Sequence, residues 1–280
     1  MGQVLFIVWR ESVEAMLVIG ILYAWLKAHP EAGAGMRYLW GGVAAGIAAA
    51  LALGGAILAF AEFFAGDAQD WFQIAMVLAA ALLIVHMVFW MKRHGRTLKH
   101  DLEAGMARTA VTANWWGMLV LVMLAVAREG SETVIFLYGL GLAQQGIALL
   151  QFTLAALAGF ALALATFGLL QLGGKVFSWR AFFRFSETVL LLLAASLLVT
   201  GAEKLVALGW LPPLLDPLWH SAWLLDDSAG LGGLIAALTG YRAQPALITV
   251  LLYAGYWVVI GWLSRRSPPA VLAQVRPAGT

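Results

Sequence analysis

Two short stretches decide how this sequence folds: Val8-Trp9-Arg10-Glu11-Ser12-Val13-Glu14-Ala15 and, 118 residues later, Ala127-Arg128-Glu129-Gly130-Ser131-Glu132-Thr133. Each contains the pattern Arg-Glu-x-x-Glu, and each lies inside a long apolar segment. A charged residue at the centre of a bilayer costs about 2.5–3.5 kcal/mol even on a lenient insertion scale, so six of them facing lipid would cost on the order of 15–20 kcal/mol. These side chains must therefore face the interior of a helix bundle, a water-filled cavity or one another.

The whole chain has the composition of an integral membrane protein. It contains 280 residues, of which 62% are hydrophobic and 11% are charged, and its mean hydropathy is +0.87. A soluble domain is typically about 45–50% apolar and about 25% charged. The sequence contains no cysteine, which excludes disulfides, thiolate metal sites and cysteine nucleophiles. A net charge of +2 gives no indication of a nucleic-acid partner.

Seven apolar segments are long enough to cross about 30 Å of hydrocarbon as helices. They cover about 3–27, 38–61, 71–91, 113–140, 148–172, 182–207 and 246–263. Lysine and arginine cluster after the first, third, fifth and seventh segments, whereas the connections after the second and fourth contain neither residue. Because this bias marks the cytoplasmic side of a membrane, the sequence predicts an N-terminus outside and a C-terminus inside.

These spans predict an all-α integral membrane protein with one transmembrane domain over 1–264. The charged motif recurs in spans one and four, which run in opposite directions, and this indicates a 3+3 inverted repeat whose ion site lies near the bilayer midplane. In the outer loop, the apolar stretch 231–238 is too short to span and predicts an interfacial or re-entrant helix. Gly42 and Gly46 predict close helix packing in span two. The predicted parts are repeat one at about 3–91, repeat two at about 113–207, the outer loop at about 208–245, an extra seventh helix at about 246–263 and a cytoplasmic tail at 265–280.

The spacing within each motif points to a cation site. Residues three and four apart share a helix face, so each motif presents two carboxylates with an arginine beside them. Adjacent carboxylates repel one another unless a cation neutralises them. Four glutamates and two arginines leave a formal charge of −2 when all ionise, which favours a multivalent cation. One such motif is compatible with a packing ion pair, but two copies at matching depth favour a functional site.

With these motifs the sequence resembles the oxidase-dependent iron transporter family, which comprises the fungal high-affinity iron permeases and the bacterial Efe-type iron permeases. The resemblance covers about 3–264. It rests on the paired Arg-Glu-x-x-Glu motifs at 10–14 and 128–132 and on the seven-span layout with the N-terminus outside. It also rests on the outer stretch Gly230-Leu231-Gly232-Gly233-Leu234 through Leu238-Thr239-Gly240-Tyr241, with Pro245 following.

The resemblance implies an iron permease, a multi-pass transporter of the cytoplasmic (inner) membrane and not an enzyme. It implies no permanently bound cofactor, because iron is the transported ion, and hard carboxylate ligands favour Fe3+ over Fe2+. The implied partners are iron, membrane lipids and a separate extracytoplasmic protein that oxidises or delivers iron, with no nucleic acid. The implied metal ligands are Glu11, Glu14, Glu129 and Glu132, with Arg10 and Arg128 as their charge partners.

Six further polar residues are candidates for accessory roles. The two serines, one in each motif, either orient ligands or bond back to their own helix. The histidine, in span three, either hydrogen-bonds a neighbouring helix or relays protons. The glutamate near the outer end of span six either snorkels or helps ions to enter, and the two aspartates of the outer loop either collect cations or form a solvated acidic turn. These residues are Ser12, Ser131, His86, Glu203, Asp226 and Asp227.

Two other functions stay open from the sequence. A lipid-phosphate (prenyl diphosphate) phosphatase also places glutamate and arginine within inverted-repeat spans, and Arg10 and Arg128 could clamp a phosphate group bidentately. Against this, the motif carboxylates outnumber the arginines two to one, which repels an anionic substrate. The other alternative is a carrier or exporter for a different divalent cation, which competition between iron, manganese and zinc would distinguish.

Overall fold

The computed structural model describes residues 2–64, 66–94, 115–140, 147–172, 179–228 and 230–266. Within these ranges the regular structure is helical, with no strand. A 3-10 turn at Pro30–Ala32 follows the first helix, which ends before Pro30 because proline disfavours a helical residue in front of it. The helices are α1 (Gly2–Ala28), α2 (Gly35–Glu62), α3 (Asp67–His94), α4 (Trp115–Gly139), α5 (Ile147–Leu172), α6 (Trp179–Ala207), α7 (Gly230–Thr239) and α8 (Leu247–Arg266).

The described helices are those of an all-α membrane protein. Each predicted apolar segment coincides with one long helix, and α7 is the short helix predicted within the outer loop. Five helices, α2, α3, α5, α6 and α8, are long and apolar enough to cross a membrane. The two remaining long helices, α1 and α4, are those that carry the charged motifs. Beyond Arg266, the predicted cytoplasmic tail lies outside the described residues.

Large apolar side chains cover the outside of the bundle. Leu51 on α2 is 71% exposed, Leu154 on α5 is 56% exposed and Val258 on α8 is 72% exposed. Soluble monomers rarely expose extensive apolar surface of this kind. Lipid tails are as apolar as leucine, so this surface is compatible with a bilayer around it.

Three helix pairs build the bundle and place the two charged motifs at its centre. α2 packs along α4, α1 along α5, and α3 along α6, while α1 and α4 also contact each other. One buried apolar cluster joins α1, α3, α4, α6 and α8, and includes Ile7, Ile84 and Phe136. A second joins α1, α2 and α4 through residues such as Leu22 and Val122. The motif helices α1 and α4 take part in both clusters.

Glycine allows the closest helix approaches. A Cβ atom at Gly46 of α2 would lie 2.9 Å from the carbonyl oxygen of Met123 on α4. A Cβ atom at Gly159 of α5 would lie only 2.5 Å from the carbonyl oxygen of Leu5 on α1. The close packing predicted for Gly42 and Gly46 is confirmed, because both glycines face α4.

The short helix α7 folds back into the bundle against α6 and α1. It ends at Gly240, which has a φ of +78°, a left-handed conformation that favours glycine. A Cβ atom added at Gly240 would also lie only 3.0 Å from the Cα atom of Ser196 on α6. The Gln3 side chain on α1 donates a hydrogen bond to the Ala237 carbonyl oxygen at this end of α7. Ser196 lies about 16 Å along α6 from the end of that helix at Ala207. The C-terminal end of α7 therefore lies inside the bundle, as expected of a re-entrant helix.

We expect Gly159→Ala to destabilise the protein by about 1–3 kcal/mol, because the added methyl group would push α5 away from the Leu5 carbonyl. Gly168→Ala is the matched control on the same helix, since a Cβ there meets no atom within 4 Å. Thermal unfolding of both purified variants in detergent measures the difference. A Gly159→Ala protein as stable as the Gly168→Ala protein would show that the close approach is not required.

Candidate metal site between the two charged motifs

The two charged motifs meet where α1 contacts α4. Both motifs are uninterrupted helix, so residues three and four apart lie on one face, as their spacing predicts. Carboxylate oxygens of Glu11, Glu14 and Glu129 lie within 4.8 Å of one another. Within the described ranges this is the one group of three or more His, Cys, Asp or Glu side chains close enough to share a metal ion. Glu132, the fourth predicted ligand, is not in this group and pairs with Arg128.

Arg10 is almost completely buried and connects the carboxylates of its own motif. Its side chain is 1% exposed, and Nη1 donates a hydrogen bond of 2.7 Å to Glu11 Oε1. Nη2 forms an ion pair with Glu14. The same Nη1 contacts the thioether sulfur of Met87 on α3 at 2.7 Å. Because a buried charge requires a partner, this guanidinium is what allows Glu11 and Glu14 to lie side by side.

Arg128 occupies a more open position in the second motif. Its side chain is 37% exposed, and Nε donates a hydrogen bond of 3.0 Å to Glu132 Oε1. Glu129 Oε1 lies 4.0 Å from the same nitrogen, beyond hydrogen-bond distance. The guanidinium lies over the indole of Trp90 on α3, with Cζ 4.4 Å from the ring centroid, in a cation–π contact. The two motifs are therefore alike in sequence but differ in the exposure of their arginines.

Three buried carboxylate oxygens of the cluster have no hydrogen-bond partner among the described residues: Glu11 Oε2, Glu129 Oε2 and Glu132 Oε2. An unsatisfied buried polar group costs about 1–3 kcal/mol, and more when it is charged. Unsatisfied groups of this kind are expected where an ion or water binds. Together with the excess of carboxylates over guanidiniums, these oxygens give the cluster the chemistry of a site for a hard cation.

Met87 and Trp90 are residues of the site that the sequence reasoning missed. They lie one helical turn apart on α3, and each contacts one motif arginine. A tryptophan near the end of a span ordinarily marks the membrane interface, so Trp90 gave no separate signal. Whether Trp90 contacts Arg128 depends on which face of α3 is turned toward α4, and the packing between helices sets that face.

Hydroxyl groups brace the second motif from within α4. Ser131 Oγ donates a hydrogen bond of 2.8 Å to the Arg128 carbonyl oxygen, and Thr133 Oγ1 donates one of the same length to the Glu129 carbonyl oxygen. Ser131 thus bonds back to its own helix, which is one of its two expected roles. Ser12 is half-buried in the first motif. A ligand-orienting role for the two serines stays a prediction.

Two accessory candidates, His86 and Glu203, lie outside the carboxylate group. His86 is exposed on α3, although the next residue, Met87, is buried against Arg10. Glu203 accepts two hydrogen bonds from Arg242, at 2.6 Å from Nε and 2.9 Å from Nη2. This bidentate pair ties the end of α6 to the segment that follows α7. Ion capture by Glu203 would have to compete with Arg242.

Of the two outer-loop aspartates, Asp226 caps a turn and Asp227 bonds to the segment that follows α7. Asp226 Oδ1 accepts hydrogen bonds from the backbone N–H and the hydroxyl of Ser228, at 2.8 and 2.6 Å, and these bonds hold the pKa of the carboxyl below its usual value. Asp227 Oδ2 accepts a hydrogen bond of 3.0 Å from the backbone N–H of Ala243. The contacts of Asp226 are those of an acidic turn, whereas Asp227 makes a longer-range contact, and cation collection by either residue stays a prediction.

We expect Arg10→Met to destabilise the protein far more than Arg128→Met. The first change leaves Glu11 and Glu14 buried without their partner, a loss of about 3–5 kcal/mol, whereas Arg128 is 37% exposed and its loss takes one hydrogen bond from Glu132. Thermal unfolding in detergent compares the two. A triple variant that adds Glu11→Gln and Glu14→Gln to Arg10→Met should recover most of the lost stability. Equal stability of the two methionine variants would contradict this account of the buried pair.

Comparison with known proteins identifies related transporters. The profile of the family described as "Iron permease FTR1 family" matches residues 1–266. The chain is 28% identical over 273 residues to "Ferrous iron permease EfeU" of Escherichia coli O6:K15:H31 (strain 536 / UPEC), covering 97% of this chain and 94% of the relative. Proteins of the same name from Shigella sonnei (strain Ss046) and Yersinia pestis are 28% and 26% identical over 254 residues. Both matches cover 90% of this chain, with 91% of the Shigella and 89% of the Yersinia protein.

No solved structure shows a significant match to this chain. The curated relatives are named permeases, and permeases are transporters rather than enzymes. Their names and the apolar helices agree with a multi-pass protein of the cytoplasmic membrane. Because the family profile covers nearly the whole chain, this protein belongs to the iron permease FTR1 family, as the twin charged motifs predicted.

Proposed function

We propose that this protein is an iron permease that moves iron into the cell through a midplane site formed by its two Arg-Glu-x-x-Glu motifs. The observation that carries the proposal is the convergence of Glu11, Glu14 and Glu129, from two different helices, within 4.8 Å inside a membrane protein. Glu132 completes the ligand set when it exchanges Arg128 for the metal. Family membership and the names of the relatives support iron as the substrate.

Seven crossings in a 3+3 inverted repeat are part of this proposal, with the N-terminus outside and the C-terminus inside. Two contacts support the repeat. Gly46 on α2 approaches the Met123 carbonyl on α4, and Gly159 on α5 approaches the Leu5 carbonyl on α1. Met123 follows Leu5 by the same 118 residues that separate Glu129 from Glu11. The α2–α4 pair and the α5–α1 pair thus repeat one contact in the two halves of the chain.

The iron that binds this site is proposed to be Fe3+, because hard oxygen ligands favour the harder ion. The relatives are named ferrous iron permeases. A separate extracytoplasmic protein that oxidises iron, or delivers it already oxidised, reconciles a ferrous supply with a ferric site. The arginines limit how tightly the metal binds, since a permeant ion must also be able to leave.

The contacts of the arginines disfavour a lipid-phosphate phosphatase. Arg10 bonds to Glu11 and pairs with Glu14, so its terminal nitrogens are already engaged. Arg128 bonds to Glu132 and lies over Trp90. To bind a phosphate group, the arginines would have to leave these glutamates, and the phosphate would then lie beside four carboxylates that repel it. Transport of a different divalent cation is the alternative that an uptake experiment must distinguish.

We expect Glu129→Gln and Glu11→Gln each to reduce the rate of iron uptake at least about tenfold, because each removes a charged ligand of a shared ion. Uptake of radioactive iron into proteoliposomes is the measurement. Glu187→Gln is the matched control, because Glu187 forms a partly exposed ion pair with Lys92 at 2.6 Å, and such pairs contribute only about 0–1 kcal/mol. Normal uptake by correctly folded Glu129→Gln protein would refute the assigned site.

We expect proteoliposomes without any oxidase to take up iron supplied as a ferric chelate faster than iron kept ferrous by ascorbate. Manganese and zinc should compete weakly with the ferric chelate, because both are softer or less charged than Fe3+. The same vesicles containing the Glu129→Gln variant correct for leakage. Uptake that requires ascorbate would reverse the proposed oxidation state, and stronger uptake of manganese or zinc would favour the alternative carrier.

A further inference from the structure

We propose that Trp90 is a positioning residue for transport: its indole holds Arg128 beside the carboxylates, and so sets how tightly the site binds iron. The inference rests on the proposed function of the same site. It adds a residue from a third helix, α3, to a site that the sequence motifs place on α1 and α4 alone.

The two motif arginines differ in how their charge is satisfied. Arg10 contacts both glutamates of its motif and is 1% exposed. Among the described residues, Arg128 donates a hydrogen bond to Glu132 alone, and Glu129 Oε1 lies 4.0 Å from its Nε. The indole face of Trp90 supplies the compensation that Glu129 does not. Arg128 is therefore the arginine that can change partners.

An aromatic face suits this task because it attracts a cation without occupying a carboxylate. While Arg128 lies over Trp90, Glu129 Oε2 has no hydrogen-bond partner among the described residues. Glu129 thus stays available to a metal. Without the indole, the guanidinium would gain by moving about 1 Å closer to Glu129 and forming a second hydrogen bond. Iron would then have to displace an ion pair before it could bind.

Trp90 lies on a packed part of α3, because the neighbouring Met87 and Val88 are almost completely buried in the apolar cluster of the bundle. It lies near the end of α3, four residues before His94. Two residues further on, Lys92 forms a partly exposed ion pair of 2.6 Å with Glu187 of α6. In the proposed topology this end faces the cytoplasm, so Arg128 lies on the release side of the carboxylates. Arg10, at the level of Met87, lies one turn further from that side.

The test compares Trp90→Leu, Trp90→Phe and a control in proteoliposomes, with initial rates of ferric-chelate uptake giving KM and Vmax. Trp262→Leu is the matched control, because Arg266 lies over Trp262 at 3.8 Å in the same kind of contact on α8. We expect Trp90→Leu to raise KM about fivefold, the factor that corresponds to a partly desolvated cation–π contact. Trp90→Phe should lie between Trp90→Leu and the native protein, and Trp262→Leu should match the native protein.

Fluorinated tryptophans introduced at position 90 alone test the inference even if Trp90→Leu does not fold. Fluorination weakens the negative face of the ring while hardly changing its shape. KM should rise with each added fluorine if the contact with Arg128 sets iron binding. A purely structural role for the ring would leave KM constant across the series.

The outcomes separate the inference from the proposed function. If Glu129→Gln abolishes uptake but KM is unchanged in Trp90→Leu and across the fluorinated series, Trp90 has no positioning role and the permease site stands. If native vesicles take up no iron, or Glu129→Gln transports normally, both proposals fall.

Discussion

The structure depends on the contact between α1 and α4, which brings six charged side chains together. Neither helix could lie in a bilayer alone with its two carboxylates and one guanidinium facing lipid. Arg10 pairs with Glu11 and Glu14 within α1, Arg128 pairs with Glu132 within α4, and the contact between the two helices brings Glu129 beside Glu11 and Glu14. The remaining helices follow from this constraint, because α2 and α5 each pack along one motif helix and shield it from lipid. Gly46 lets α2 approach Met123 of α4, and Gly159 lets α5 approach Leu5 of α1.

In the proposed repeat the α2–α4 contact corresponds to the α5–α1 contact, but the two motifs differ in exposure. The Arg10 side chain is 1% exposed and the Arg128 side chain is 37% exposed. Unlike environments of the two halves are what alternating access by the proposed inverted repeat would require, because a site open to one side must be closed to the other. α3 contacts both arginines, through Met87 and Trp90. A small movement of α4 relative to α3 would therefore separate Arg128 from Trp90, while Arg10, on α1, would keep its contact with Met87.

Much of the fold was predictable because its signals are local. Apolar length gave the positions of the long helices, and motif spacing gave the shared carboxylate face of each. The stretch 231–238 was predicted as a short helix, and it is one. The partners of the arginines were not predictable, because Met87 and Trp90 reach the site only through the rotation of α3 about its axis. The same holds for Glu203, whose bidentate partner Arg242 lies beyond α7 and has no fixed spacing to it.

The placement of Arg128 also bears on which ion the cluster would hold. With both arginines among the four glutamates, the formal charge is −2, which a divalent ion neutralises. If Arg128 gave up its hydrogen bond to Glu132 and kept only its contact with Trp90, the four glutamates and Arg10 would carry −3, which a trivalent ion neutralises. Low-dielectric surroundings make an uncompensated unit charge costly, so the position of one guanidinium changes the ion charge that the cluster favours. Return of Arg128 to the carboxylates would then oppose a bound Fe3+ directly, and the same residue that adjusts affinity would promote release.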